Sequence, residues 1–169
     1  MANEHTARVY WQDWGVASVG LRPYTVYGVA RDQGLTSDIA KAILAAAAER
    51  PFHIKFGGPV ALQYTADTAA IFIAAARAGH AGAAVCNLRN DVTDVADFVA
   101  TLTAIAPAAK ITYQADNILP FPADLADEGL QAVLEQVPHT QLATAVQESL
   151  GQFQKLLAEN KINLNQLDQ

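Results

Sequence analysis

The apolar positions of this chain fall in short clusters whose spacing changes repeatedly between helical and extended periods. Ala7, Tyr10, Trp11 and Trp14 recur at three- and four-residue intervals, which predicts a helix over Asn3–Trp14 with Gly15 placed to end it. Val16–Tyr24 follows as an apolar run without alternation, the pattern of an interior parallel strand. Ser37 or Thr36 is expected to cap a helix through Ala48, whose alanine-rich body favours helix and which Pro51 closes off. Phe52–Phe56 reads as a short strand, Gly57-Gly58-Pro59 as a turn and Val60–Tyr64 as a weakly alternating strand. Thr65–Ala78 is expected to be helical, with Ile71, Phe72 and Ala75 facing inward.

Ala83–Leu88 reads as a further strand, and Thr93 as the cap of a helix lined on one side by Val95, Phe98, Val99 and Leu102. Lys110–Tyr113 is strand-like, Asn117–Pro122 is a proline-rich loop, and two helices follow over Leu125–Gln136 and Gln141–Glu159. Strands and helices alternate through most of the chain, which predicts an α/β fold. No repeat or linker divides it, so residues 1–159 are expected as one α/β lobe and 160–169 as a flexible tail.

Composition narrows the partners. At 169 residues and 51% hydrophobic content the chain can bury a substantial core, which argues against disorder. The net charge of −6 comes with no basic stripe, which argues against nucleic acid and against an anionic membrane surface. Cys86 stands alone, so no disulfide framework forms and a reducing cytoplasm is the expected compartment. The richest apolar run, Ala42–Ala48, falls far short of the roughly 20 residues a membrane span needs.

Candidate chemistry is sparse. Neither G-x-G-x-x-G nor G-x-x-x-x-G-K-[ST] is present, and no G-x-S-x-G elbow occurs. His5, His53, His80 and His139 are scattered, which argues against zinc, and His139 reads as structural. Asp91, Asp94 and Asp97 lack the alternation and central glycine of a calcium loop, and read instead as acids favoured in a helix's first turn. Cys86 lies among Ala84, Val85 and Leu88 and reads as an inert buried thiol. What remains is the stretch GLRPYTVYG, Gly20–Gly28, where a strand runs into a shaped turn. In α/β proteins ligands sit at the carboxyl ends of such strands.

With its neighbours, GLRPYTVYG resembles the extended short-chain dehydrogenase/reductase family, the NAD-dependent epimerases and dehydratases, where the comparable stretch is L-R-(Y/P)-x-(N/T)-V-Y-G. GLTSD, FHIKFGG, QYTADTA, the strand ending in Cys86-Asn87-Leu88 with its following helix, and PFPADLAD match further family segments in order. The resemblance implies the C-terminal portion of an extended Rossmann-type fold. MANEHTARVY looks like the segment that in the family follows the lysine of the catalytic Y-x-x-x-K. The expectation is therefore that this pair and the glycine-rich nucleotide-binding half precede the chain.

The resemblance assigns Pro23 and Tyr24 to the cofactor side, near the nicotinamide ring, and Thr25, Val26, Phe56 and Asp67 to substrate. No catalytic residue and no metal ligand is assigned. The family's diphosphate-gripping arginine falls at Val60, and the first aspartate of its D-D pair at Ala66, so a smaller substrate becomes plausible. The implied reading is the substrate-binding lobe of an NAD-dependent (nucleotide-)sugar epimerase/dehydratase, without catalytic activity alone. NAD or NADP is the family's cofactor and is expected not to bind this chain by itself. The alternative is a stand-alone ligand-binding or protein-interaction module. The expected partners are a sugar or nucleotide-sugar ligand and either further copies of the chain or a complementing N-terminal half. Loss of a neighbouring sheet would leave an apolar face prone to association.

Overall fold

The computed structural model describes residues 2–168. Helix α1, Ala2–Trp14, ends where Gly15 takes a φ of 65° and its N–H donates to Trp11 O at 2.9 Å, a glycine-closed helix end. No residue of α1 is buried. Strand β1, Ser18–Arg22, pairs in parallel with β5, Ala83–Asn87, with Ser18 opposite Ala83 and Arg22 opposite Asn87. Among the described residues β1 has no second strand neighbour, so it forms an open edge where the sequence suggested an interior strand.

The run 16–24 is also interrupted. Pro23 has no N–H to extend the ladder, and the chain resumes as β2, Thr25–Tyr27, in a different sheet. There β2 lies parallel to β4, Pro59–Tyr64, which pairs on its other side antiparallel to β6, Asp91–Asp94. A third, two-stranded sheet joins β3, Phe52–Ile54, to β7, Ile111–Tyr113. The alternation of elements is as expected, but the strands are divided among three small sheets.

The helices are α2 (Asp38–Ala47), α3 (Thr65–Arg77), α4 (Val95–Ile105), α5 (Glu128–Val133) and α6 (Leu142–Ala158). Three local expectations change. Ser37 precedes α2 but its side chain makes no capping bond. Asp94, rather than Thr93, caps α4 by accepting from Ala96 N–H at 2.8 Å, because β4 recruits Thr93 into a strand opposite Val60. On α3, Ile71 and Ala75 are buried one turn apart, whereas Phe72 lies about 100° further round and is 48% exposed.

The main core packs α2, α4 and α6 around the strand residues Tyr27, Ile54 and Leu62. A smaller core of Ile71, Cys86, Leu88, Leu130 and Leu134 joins the β1–β5 pair to α3 and α5. Cys86 is 1% exposed and burial raises its thiol pKa, which keeps it protonated and inert. Residues 160–169, expected as a tail, include a 3-10 turn at Leu164–Asp168, and Ile162, Leu164 and Leu167 pack against the main core. No helix of the described residues is long and apolar enough to cross a membrane.

Candidate functional site

The ends of β1 and β2 are tied together by one buried side chain. Gln63, in β4, is fully buried; its Oε1 accepts from Tyr24 N–H at 2.7 Å and its Nε2 donates to Leu88 O, just past β5. Leu88 N–H in turn donates to Arg22 O at 3.1 Å. A single amide thus joins the three-stranded sheet to the β1–β5 pair where the resemblance places the cofactor. Sequence reading assigned Gln63 no role, because a lone polar residue in VALQY reads as strand alternation.

The residues assigned to that strand end are separated in character. Pro23 is exposed. Tyr24 is half-buried, its hydroxyl donates to Phe121 O at 3.3 Å, and its ring meets Phe121 edge-on with centroids 5.1 Å apart. Burial raises its phenol pKa. Thr25 is fully buried and its Oγ1 has no hydrogen-bond partner among the described residues. Val26 is half-buried.

Asp67 serves the scaffold. Its carboxylate accepts from Thr140 N–H at 2.7 Å and from Thr140 Oγ1 at 2.8 Å, fixing the approach to α6. His139, beside it, places Nε2 3.1 Å from Asp91 Oδ1, and Asn90 donates to Pro138 O at 3.4 Å. The segment 138–140 is therefore pinned by three side chains, the structural role expected of His139. Asp91 lies in β6, Asp94 caps α4, and Asp97 sits in the first turn of α4.

Of the six assigned residues, Phe56 lines the cavity best placed for a ligand. This cavity, of about 510 Å³, opens at the carboxyl ends of the β3–β7 pair, beside the start of α2. Phe56, Leu119 and Pro120 give it an apolar wall, and Asp32, Asp38, Lys41, Lys55 and Asn117 a polar one. Asp38 Oδ2 accepts from Lys55 N–H at 2.8 Å, which fastens α2 to the end of β3. Asn117 Nδ2 donates to Lys55 O at 2.5 Å and closes the opposite side.

The glycine turn shapes that rim. A Cβ at Gly57 would stand 2.6 Å from Gln114 O and 2.8 Å from Ala115 Cα, so only glycine lets the two loops approach. Gly58 has a φ of 71°, which any side chain disfavours. Val60, where the resemblance would have a diphosphate-binding arginine, is fully buried in β4.

No family model matches the sequence, and no curated protein does. The fold, in contrast, has many solved counterparts. A partial-consensus L-threonine 3-dehydrogenase is 19% identical, with a TM-score of 0.76 over 91% of this chain and 54% of its own. The UDP-glucose 4-epimerase of Thermotoga maritima, solved with UDP-glucose, is 18% identical, with a TM-score of 0.75 over 92% of this chain and 52% of its own. The UDP-glucuronic acid 4-epimerase of Bacillus cereus, solved with UDP-glucuronic acid and NAD, is 18% identical, with a TM-score of 0.72 over 92% and 51%. The chain has the α/β fold of a C-terminal part of the extended short-chain dehydrogenase/reductases, the NAD-dependent epimerases and dehydrogenases. It spans about half the length of these solved relatives.

Proposed function

We propose that this chain is the substrate-binding lobe of an NAD-dependent epimerase/dehydratase-like protein, taking a sugar or nucleotide-sugar ligand and performing no catalysis by itself. The observation that carries this reading is the cavity at the carboxyl ends of β3 and β7, where α/β sheets receive their ligands. Its apolar wall suits a ring, and its mixed lining of Asp32, Asp38, Lys41, Lys55 and Asn117 suits the hydroxyls of a sugar. The burial of Val60 removes a bidentate grip on a diphosphate and favours ligands held by fewer anionic contacts.

Tyr24 itself is not suited to act as a general base. A general base at neutral pH needs a pKa brought down toward 7, whereas burial moves Tyr24 upward and its hydroxyl is spent on Phe121 O. Bound NAD would supply hydride transfer. The resemblance assigns only Pro23 and Tyr24 to its nicotinamide end, so the remaining contacts belong to a complementing N-terminal half or to another copy of the chain.

Backbone amide NMR of the 169-residue chain tests the proposal with UDP-glucose and glucose 1-phosphate. At least one should produce saturable shifts at Lys55, Phe56 and Asn117–Leu119. Unmoved amides there with both ligands would contradict it.

A further inference from the structure

The cavity beside the start of α2 has a charge balance that bears on its ligand. Its lining carries two acids, Asp32 and Asp38, two lysines, Lys41 and Lys55, and, among the described residues, no arginine. The formal charges of these four side chains cancel, and the planar group that grips a phosphate bidentately is not in the wall. Both lysines already have interaction partners, so neither is an uncommitted cation. The positive end of α2 is met by Asp38 itself, which lies in the first turn of the helix.

The hydrogen-bonding atoms lean the same way. Asp38 is 5% exposed, and an aspartate so deeply buried is uncommon without partners for both oxygens. Its Oδ2 accepts from Lys55 N–H at 2.8 Å, while its Oδ1 has no hydrogen-bond partner among the described residues. Asn117 commits its Nδ2 to Lys55 O at 2.5 Å, which leaves its Oδ1 as an acceptor. Ser37, 2% exposed, makes no capping bond with its hydroxyl, which can donate or accept. A phosphate brings negative charge and acceptors, whereas each sugar hydroxyl brings a donor. The open atoms at the start of α2 suit the hydroxyl.

Resting on the substrate-lobe reading above, we infer that this cavity recognises the hydroxyls of an uncharged sugar, with Asp38 as the residue that selects it over a phosphorylated one. Asp38 Oδ1 accepts from a sugar hydroxyl, a charge-assisted bond that gives the buried carboxylate the partner it lacks. A phosphate in the same place would meet like charge in a poorly solvated site, with no surplus cation to offset it. Phe56, Leu119 and Pro120 meet the apolar face of the ring. A nucleotide sugar enters with its hydroxyls at Asp38 and its diphosphate outside the cavity.

The test is amide NMR titration of the 169-residue chain with glucose, glucose 1-phosphate, UDP-glucose and inorganic phosphate. Glucose should shift the amides of Ser37, Asp38, Lys55 and Phe56 saturably and bind at least as tightly as glucose 1-phosphate, and inorganic phosphate should leave them unmoved. Asp38→Asn keeps an oxygen for Lys55 N–H but turns an amide donor toward the ligand. It should weaken glucose about five- to tenfold and move the ratio of the two affinities at least about threefold toward glucose 1-phosphate, with an unchanged circular dichroism spectrum. A purely structural Asp38 would weaken both ligands alike. If Asp38→Asn fails to fold, the ranking of glucose against glucose 1-phosphate in the unaltered chain decides. Glucose 1-phosphate binding about tenfold or more tighter than glucose, saturable shifts with inorganic phosphate, or an unmoved ratio in Asp38→Asn would overturn the inference and leave the substrate-lobe reading standing. Unmoved amides with glucose, glucose 1-phosphate and UDP-glucose alike would contradict both.

Discussion

Gln63 uses its one amide to hold backbone from two sheets, so its loss leaves polar groups unpaired on both sides. Gln63→Leu keeps the volume but strands Tyr24 N–H and Leu88 O, which should lower unfolding free energy by about 2–4 kcal/mol in urea denaturation. Three glycines give a sharper contrast. Gly57→Ala forces backbone apart and should cost about 2 kcal/mol or more. Gly58→Ala should cost about 1 kcal/mol, since its main clash is with the mobile end of the exposed Ile118 side chain. Gly151, inside α6 with nothing near its Cβ position, should stabilise by about 0.5–1 kcal/mol when changed to Ala. The turn at Gly57-Gly58 was legible in the sequence. The role of Gln63 was not, because a side chain's worth in a buried network depends on neighbours 25 and 39 residues away.

At the scale of elements, the strong helices and apolar runs were readable because their periodicity is local. Strand β6 was missed because Asp91-Val92-Thr93-Asp94 has weak strand propensity and looks like the acidic start of α4. Only the offered edge of β4 makes it a strand. The same sheet sets the alkaline limit of the fold. Tyr27 in β2 is fully buried, its hydroxyl has no partner among the described residues, and desolvation, then Asp91 and Asp67, raises its pKa far above the ordinary 10.0. A phenol held protonated in the fold contributes stability that is fully present below the unfolded value. That contribution falls as pH rises above about 10, where only the unfolded phenol ionises freely. Urea midpoints measured from pH 8 to 11 should therefore decline above pH 10, and Tyr27→Phe should flatten the decline while changing stability at pH 7 by less than about 1 kcal/mol.

The whole molecule exposes large apolar side chains that its own core does not use. Tyr10, Trp11 and Trp14 on α1, Val16 before β1, and Phe72 and Ile73 on α3 are 37–65% exposed, and β1 offers an open edge. The α1 helix is fixed to that edge by a bidentate pair, Arg22 Nε and Nη2 donating to the two Glu4 oxygens at 2.7 Å each. Such a surface on an isolated chain should drive association. Sedimentation velocity across a concentration series should show reversible self-association that Trp14→Asp weakens, and a strict monomer at the highest concentration would contradict this. Helical spacing announced the aromatic helix, but its exposure was expected only through the resemblance, since the spacing is the same whether a face meets its own core or another chain's.

The claim that the chain carries the substrate half of a nicotinamide site is tested most directly by calorimetric titration of the 169-residue chain with NAD. The account predicts no saturable heat at millimolar NAD, because the proposal assigns only Pro23 and Tyr24 of this chain to one end of the cofactor. Saturable one-to-one binding of NAD to the chain alone would contradict it.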